Sequence, residues 1–338
     1  MPREIVTIGG GTGSPVINEA LLRTGQVDHI DAVAAMFDSG GATGRRRLNA
    51  RGNEVAYADG LKILRSLIKP DSDNPAVATF IRWISNRNER DEVLGQEIMD
   101  RFFDQERGFA QIEHDAQTFG IPLLGRVLPS STVPAHIVFQ DDLGRQFSGE
   151  HNLDYQRLSA AMVVKMDLEP SVPVFPKTAK TVENASRIVL ACGSMHGSVL
   201  SNFLPVGMKE ALAKSKAEVY MVTNLTSTRN ENHEYTPLDF VEKVEEYSGR
   251  RIDGLIIPEM TRQEFESRYP TVAEAYAKDH SFFLGWEDSD LYRAADEGIQ
   301  IIQHQATNLV TSRDGLHVVR HNPEMLAQAM TQIFPASS

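Results

Sequence analysis

Glu4-Ile5-Val6-Thr7-Ile8-Gly9-Gly10-Gly11-Thr12-Gly13-Ser14-Pro15 decides the fold. Residues 4–8 form a short β-branched run that stops at glycines, which is how a parallel strand buried on both faces reads. Pro15 suits a first helical turn, and Val16, Ile17, Ala20 and Leu21 then recur at helical spacing. The glycines between strand and helix can take positive φ and let a ligand or another chain segment approach the backbone. Residues 29–37 are a second apolar strand, ending at Asp38-Ser39-Gly40-Gly41-Ala42-Thr43-Gly44. Strand, glycine loop, helix, strand and glycine loop make one βαβ unit.

The same alternation continues outward. Residues 58–68 read as a helix with Leu61, Leu64, Leu67 and Ile68 on one face. From 75 to 117 the pattern stays helical and densely charged. We read 70–118 as a helical insertion or cap in a single core made of 1–69 and 119–338, with the charged run 87–92 as a solvated helix end. Strand patterns return at 122–128 and 135–139, and Asp141-Asp142-Leu143-Gly144 reads as a hairpin turn before 146–149. A buried strand over 187–192 leads into Gly193-Ser194-Met195-His196-Gly197-Ser198, then Asn202-Phe203-Leu204-Pro205 and a helix through 213. Further strands are expected at 219–222, 254–257 and 299–302, with a closing helix over 323–333. The fold class is therefore α/β: a Rossmann-like, mostly parallel open sheet flanked by helices, with a helical insertion.

Composition narrows the function. The 338 residues carry 34 Lys+Arg against 46 Asp+Glu, a net charge of −12, without the broad basic surface that non-specific nucleic-acid binding needs. The single cysteine, Cys192, excludes an intramolecular disulfide and suits a reducing compartment. No stretch approaches a membrane span or a signal peptide, so a cytoplasmic location without membrane or nucleic-acid partners is the expectation.

In open α/β sheets, ligands bind beyond the carboxyl ends of the strands, so the loops that follow strands should converge on one crevice. Gly10, Gly11, Thr12 and Gly13 stand before a helix whose free N–H groups and dipole favour an anion. A side chain at Gly11 is expected to fill the phosphate's space without unfolding the protein. Ser14 stands where a dinucleotide fingerprint needs glycine, and no Gly-Lys-Ser/Thr follows, which sets aside the P-loop. In the second loop Asp38 could bind a ribose hydroxyl, a base edge or a hydrated metal ion. Ser39, Gly40 and Gly41 accompany it, and Arg45 could clamp a phosphate. Asp59 reads equally as a helix N-cap or as a functional carboxylate. In the third loop Gly193, Ser194, His196 and Ser198 could hold a second phosphate, and His196 could also move a proton. Asn224, after the next strand, could read a base or sugar. His317 and His321 flank a strand-like Val318-Val319, so they are not expected to share a zinc ion.

These blocks, in this order, resemble the CofD/YvcK superfamily over most of the chain. The resemblance rests on residues 8–13, 38–45, Asp59 at a helix start, Gly125-Arg126-Val127-Leu128-Pro129-Ser130, Ser148-Gly149-Glu150 and 193–205. The second block is closer to the YvcK type, whose pattern there is D-D-G-G-S-S-G-R. Ser39 and Ala42-Thr43 depart from it, as do Ala191-Cys192-Gly193-Ser194, Met195-His196 and Leu61-Lys62 elsewhere. The resemblance implies a Rossmann-like core that binds a nucleotide diphosphate. On the YvcK side it implies a regulatory protein without turnover that binds a UDP-sugar such as UDP-N-acetylglucosamine, named for gluconeogenesis. On the CofD side it implies a Mg²⁺-dependent transferase moving a phospholactyl-type group from a guanylyl-activated donor to a deazaflavin. Asp38 and Asp59 would then be the metal-binding and catalytic carboxylates. A homodimer is also implied. Outside the resemblance, an NAD-linked oxidoreductase ranks third, for want of Gly at 14 and of a paired catalytic His and carboxylate.

Overall fold

The computed structural model describes residues 4–39, 55–70, 72–86, 105–305, 308–311 and 317–334. Its strands are β1 (Ile5–Gly9), β2 (Ile30–Ala34), β3 (Gly125–Pro129), β4 (His136–Asp141), β5 (Gln146–Ser148) and β6 (Val163–Glu169). They continue with β7 (Arg187–Leu190), β8 (Glu218–Val222), β9 (Gly254–Pro258), β10 (Gln300–His304), β11 (Asn308–Thr311) and β12 (His317–Arg320). Seven of them form one sheet in the order β10-β9-β8-β7-β1-β2-β3, every pairing parallel. β4 pairs antiparallel with β5 and β6 in a separate three-stranded sheet, and β11 pairs antiparallel with β12.

Successive residues of each strand point to opposite faces, so an apolar run feeds two cores at once. Val6, Ile8, Val33, Ile188, Leu190, Met221 and Leu255 enter one buried cluster; Ile5, Ala32, Val189, Tyr220, Val222 and Ile256 enter the other. That is the physical content of a strand that reads apolar throughout. Helices α1 (Gly13–Arg23) and α2 (Tyr57–Ser66) cover the second face through Ile17, Leu21, Leu61 and Leu64. In the 70–118 range, α3 (Pro75–Ser85) and α4 (Gln105–Thr118) lend Phe80, Ile84, Phe109 and Ile112 to that same cluster. The charged run 87–92 lies outside the described residues.

Two local readings are corrected. The second strand stops at Ala34, and the Ala35 N–H donates to the Gly9 carbonyl (3.1 Å) as the last rung of its ladder with β1. Ala35–Phe37 stay buried as irregular chain, so burial extended the apolar run beyond the strand. Asp59 is not an N-cap: the cap position of α2 is Ala56, and Asp59 stands inside the first turn.

The strand order fixes the crevice. From β1 the chain runs outward through β2 and β3; from β7 it runs the other way through β8, β9 and β10. The direction reverses between β1 and β7, so the loops after these two strands flank the switch point, where open α/β sheets take ligands.

Candidate functional site

The first loop meets the third at this switch point, with glycines at each approach. A Cβ on Gly13 would collide with the Cys192 carbonyl, and one on Gly9 would stand 2.7 Å from the Ala191 Cβ. A Cβ on Gly10 would stand 2.5 Å from the Ser198 Oγ. Thr12, the cap position of α1, is exposed, and its side chain makes no capping hydrogen bond. The Ser14 Oγ just inside the helix is buried without a partner among the described residues. This helix start keeps the character expected of an anion cradle.

Gly11 is used differently from the expectation. A Cβ there would stand 2.5 Å from the Asp59 Cγ and 2.8 Å from its Cα. The space above Gly11 therefore belongs to the first turn of α2, and a larger residue there would collide with the protein itself. Asp59 is held from the other side by Lys62, whose Nζ lies 2.9 Å from Oδ1. A buried polar chain sets the position of α2. Thr7 donates to Asn18 (2.8 Å), Asn18 donates to Ser66 (3.0 Å), and Ser66 donates to the Ile63 carbonyl.

The second loop joins through Glu150. Asp38 and Ser39 are half-buried; Gly40, Gly41 and Arg45 lie outside the described residues. The Glu150 carboxyl is hydrogen-bonded to Asp38, takes the Ser39 N–H at 3.4 Å, and would stand 2.9 Å from a Cβ on Gly197. Burial pushes this carboxyl well above its ordinary range. The charge and hydrogen bond of Asp38 raise it further, as does the charge of Asp154. Two carboxyl groups this close share one proton or one cation. Ser39 Oγ also meets His151, accepting its N–H (3.0 Å) and lying 2.8 Å from Nδ1.

The third loop holds a surprise. A buried carboxylate, Glu231, already occupies the N–H groups assigned from sequence to a second phosphate. It accepts from Ser194 Oγ (2.6 Å) and from the backbone N–H groups of Met195 and His196 (3.2 Å each). His196 is wholly buried, with Nδ1 3.6 Å from Glu231. Burial alone would raise the Glu231 carboxyl, but hydrogen bonds and charge from His196, with Ser194 and backbone support, hold it below its ordinary value. Gly193 and Ser198 remain half-buried at the crevice. Asn224 donates to the Gly193 carbonyl (2.6 Å), while its Oδ1 has no protein partner among the described residues.

Gly10, Gly11, Asp59, Ser198, Gly197, Glu150 and Asp38 thus form one connected series across all three loops. Glu150 and Glu231 carry no role in the sequence reading. Glu150 had a signal, since it stands in the Ser148-Gly149-Glu150 block on which the family resemblance rests. Glu231 sits in Asn230-Glu231-Asn232-His233-Glu234, which reads like any hydrophilic loop. Among the described residues no group of three His, Cys, Asp or Glu is assembled to hold a metal ion. His317 and His321 sit at opposite ends of the β12 segment, and His321 instead stacks on His304, with centroids 5.1 Å apart. A cleft of about 790 Å³ opens elsewhere, beyond β9 and β10. Glu259, Arg268, Tyr269 and Asn322 are among its lining residues.

The profile of the family described as 2-phospho-L-lactate transferase CofD matches residues 5–305. The chain belongs to the CofD family. Its relatives include a protein of Thermotoga maritima named "Putative gluconeogenesis factor", 27% identical over 331 residues, covering 98% of this chain and 99% of the relative. A protein of Lactococcus lactis with the same name is 28% identical over 341 residues, covering 98% and 96%. Among solved structures, the UPF0052 protein BH3568 of Bacillus halodurans superposes with a TM-score of 0.78 at 21% identity, covering 98% of this chain and 99% of that one. This last likeness carries the fold: a parallel sheet flanked by helices. No helix of the described residues is long and apolar enough to cross a membrane.

Proposed function

We propose that this CofD-family protein binds a nucleoside diphosphate sugar, a UDP-sugar such as UDP-N-acetylglucosamine, and acts as a regulator without turnover. The observation that carries the reading is the convergence of all three loops at the β1/β7 switch point, beside an uncapped helix start and a Ser14 hydroxyl without a partner among the described residues. The relatives' name, gluconeogenesis factor, supports the regulatory half.

The electrostatics call for a cation. The charges of Asp38 and Asp154 both act on Glu150 here, and a diphosphate brought beside ionised carboxylates is repelled unless positive charge intervenes. Magnesium is usually held by one or two carboxylates together with substrate phosphates and water. Asp38 and Glu150 form such a hard-oxygen pair, so the donor set fits Mg²⁺. Asp59, already engaged by Lys62, would serve the glycine loop.

The same carboxyl pair favours the second reading, a CofD-like transferase. Bound Mg²⁺ would neutralise charge on the diphosphate, while the glycine loop and Ser198 orient it. A thermal-shift and calorimetric screen of UDP, UDP-sugars, GDP and GTP, with and without Mg²⁺, separates the readings. A ligand that binds only the folded state raises apparent stability. Uridine-nucleotide binding without product formation supports the regulator. Guanine-nucleotide binding that requires Mg²⁺ supports the transferase, and no shift from any nucleotide overturns both.

A further inference from the structure

Glu231 is a charged group taken out of water in a place where the fold could have received a ligand. A buried carboxylate is costly unless its oxygens are hydrogen-bonded and its charge is compensated. Here it has a hydroxyl, two backbone N–H groups and a nearby imidazole. Its own loop is pinned on both sides. The Glu231 N–H donates to the Thr228 carbonyl, the Thr228 N–H donates to Asn232 (2.6 Å), and Asn230 donates to the Leu153 carbonyl (3.1 Å). The Asn230 carbonyl in turn accepts from Val163 of β6. The carboxylate is thus delivered from a segment anchored to the three-stranded sheet.

Its influence extends past the groups it touches. Ser194 Oγ donates to Glu231 and accepts the Gly197 N–H at 2.9 Å, so carboxylate, hydroxyl and amide form a relay. Gly197 is the residue that faces the Glu150 carboxyl, and Ser198 the one that faces Gly10. We propose that Glu231 is the positioning residue of the third loop. Its carboxylate, in place of a ligand phosphate, shapes the Ser194–Ser198 turn so that Gly197 and Ser198 form the crevice wall. The diphosphate is then received by the first loop, while the third loop contributes the Ser198 hydroxyl. This deepens the nucleotide-binding reading and rests on it wherever ligand affinity is the measure.

The test compares the wild-type protein with Glu231→Gln, which keeps size but not charge, and Glu231→Ala. Two quantities are read: amide hydrogen exchange over residues 195–198, and calorimetric affinity for UDP and GDP with Mg²⁺. Losing hydrogen bonds to a charged group should speed exchange at these amides, and weaken nucleotide binding, by about ten-fold or more. Exchange in β7 and β8 should stay as in the wild type. Added formate should restore both quantities in Glu231→Ala by entering the vacated N–H groups, which a merely space-filling role would not produce. If Glu231→Ala does not fold, the isosteric Glu231→Gln carries the comparison. Unchanged exchange in folded Glu231→Gln overturns the proposal. So does tighter nucleotide binding, which would mean that the carboxylate competes with the ligand. If the wild type binds no nucleotide, the functional reading falls, and the exchange data alone decide the role of Glu231.

Discussion

Gly11→Ala should destabilise the protein before any ligand is considered. The added Cβ would stand 2.5 Å from the Asp59 Cγ and 2.8 Å from its Cα. Non-bonded carbon atoms ordinarily sit about 3.5–4.0 Å apart, so the overlap is roughly 1 Å. Rotating the Asp59 side chain relieves only the clash with Cγ; relieving the clash with the backbone requires α2 itself to move. That helix is tied to β1 through Ser66, Asn18 and Thr7, and its Leu61, Ile63 and Leu64 are buried. Overpacking of this kind costs about 1–3 kcal/mol. At roughly 2.1 cal/mol/K per residue, the unfolding entropy of a chain this size is on the order of 0.7 kcal/mol/K, so Tm should fall by about 1.5–4 °C. Calorimetry on Gly11→Ala, Asp59→Ala and the double variant checks this. The double variant should recover part of the loss, with a coupling of about 1 kcal/mol. A neutral Gly11→Ala that adds independently to Asp59→Ala would refute the packing of α2 on the glycine loop.

Two further outcomes concern pH. Burial holds the stacked His304 and His321 down to about 2 and about 4, against 6.5 for a free imidazole. The unfolded chain therefore binds protons first as pH falls. Stability is retained above pH 6.5 and lost below it, by about 2 kcal/mol per histidine between pH 6.5 and 5. Urea titrations at both pH values should show a smaller acid loss in His304→Leu, and an identical loss would contradict the buried pair. Glu150 works in the opposite direction. Its raised carboxyl makes the folded state hold a proton that the unfolded state releases, so stability falls as pH rises above 4.5 toward its folded value. Glu150→Gln should accordingly gain stability relative to the wild type as pH rises from 5 to 8. A pH-independent difference between the two would count against the Asp38–Glu150 pairing.

Much of the sheet was legible because each central strand has both faces buried, as Ile5–Ile8 and Gly254–Ile257 show. The hairpin at Asp141–Gly144 was legible for a different reason: Gly144 supplies the positive φ (+76°) that its turn requires. β6 went unread although Val164–Glu169 alternates apolar and charged residues, the pattern of a strand with one buried face. The amphipathic helix Pro237–Ser248 was also passed over, although Thr236 and Asp239 form a capping box that marks its start. At the site, the loops could be placed from their position after strands, which is a property of sequence order. Their interior partners could not. Gly11 reads the same whether a phosphate or Asp59 lies over it, and nothing local to Glu231 says that it reaches back to Ser194. Those facts depend on segments that meet in space while lying far apart in the chain.

Entry of the ligand's diphosphate at the β1/β7 switch point is tested most directly by hydrogen exchange of the intact protein with saturating UDP-N-acetylglucosamine and Mg²⁺. New protection should centre on residues 9–14, 38–39 and 197–198, with little change near Glu259, Arg268 and Asn322 around the cleft beyond β9 and β10. Protection confined to that cleft, with the glycine loop exchanging as in the free protein, would contradict entry at the switch point.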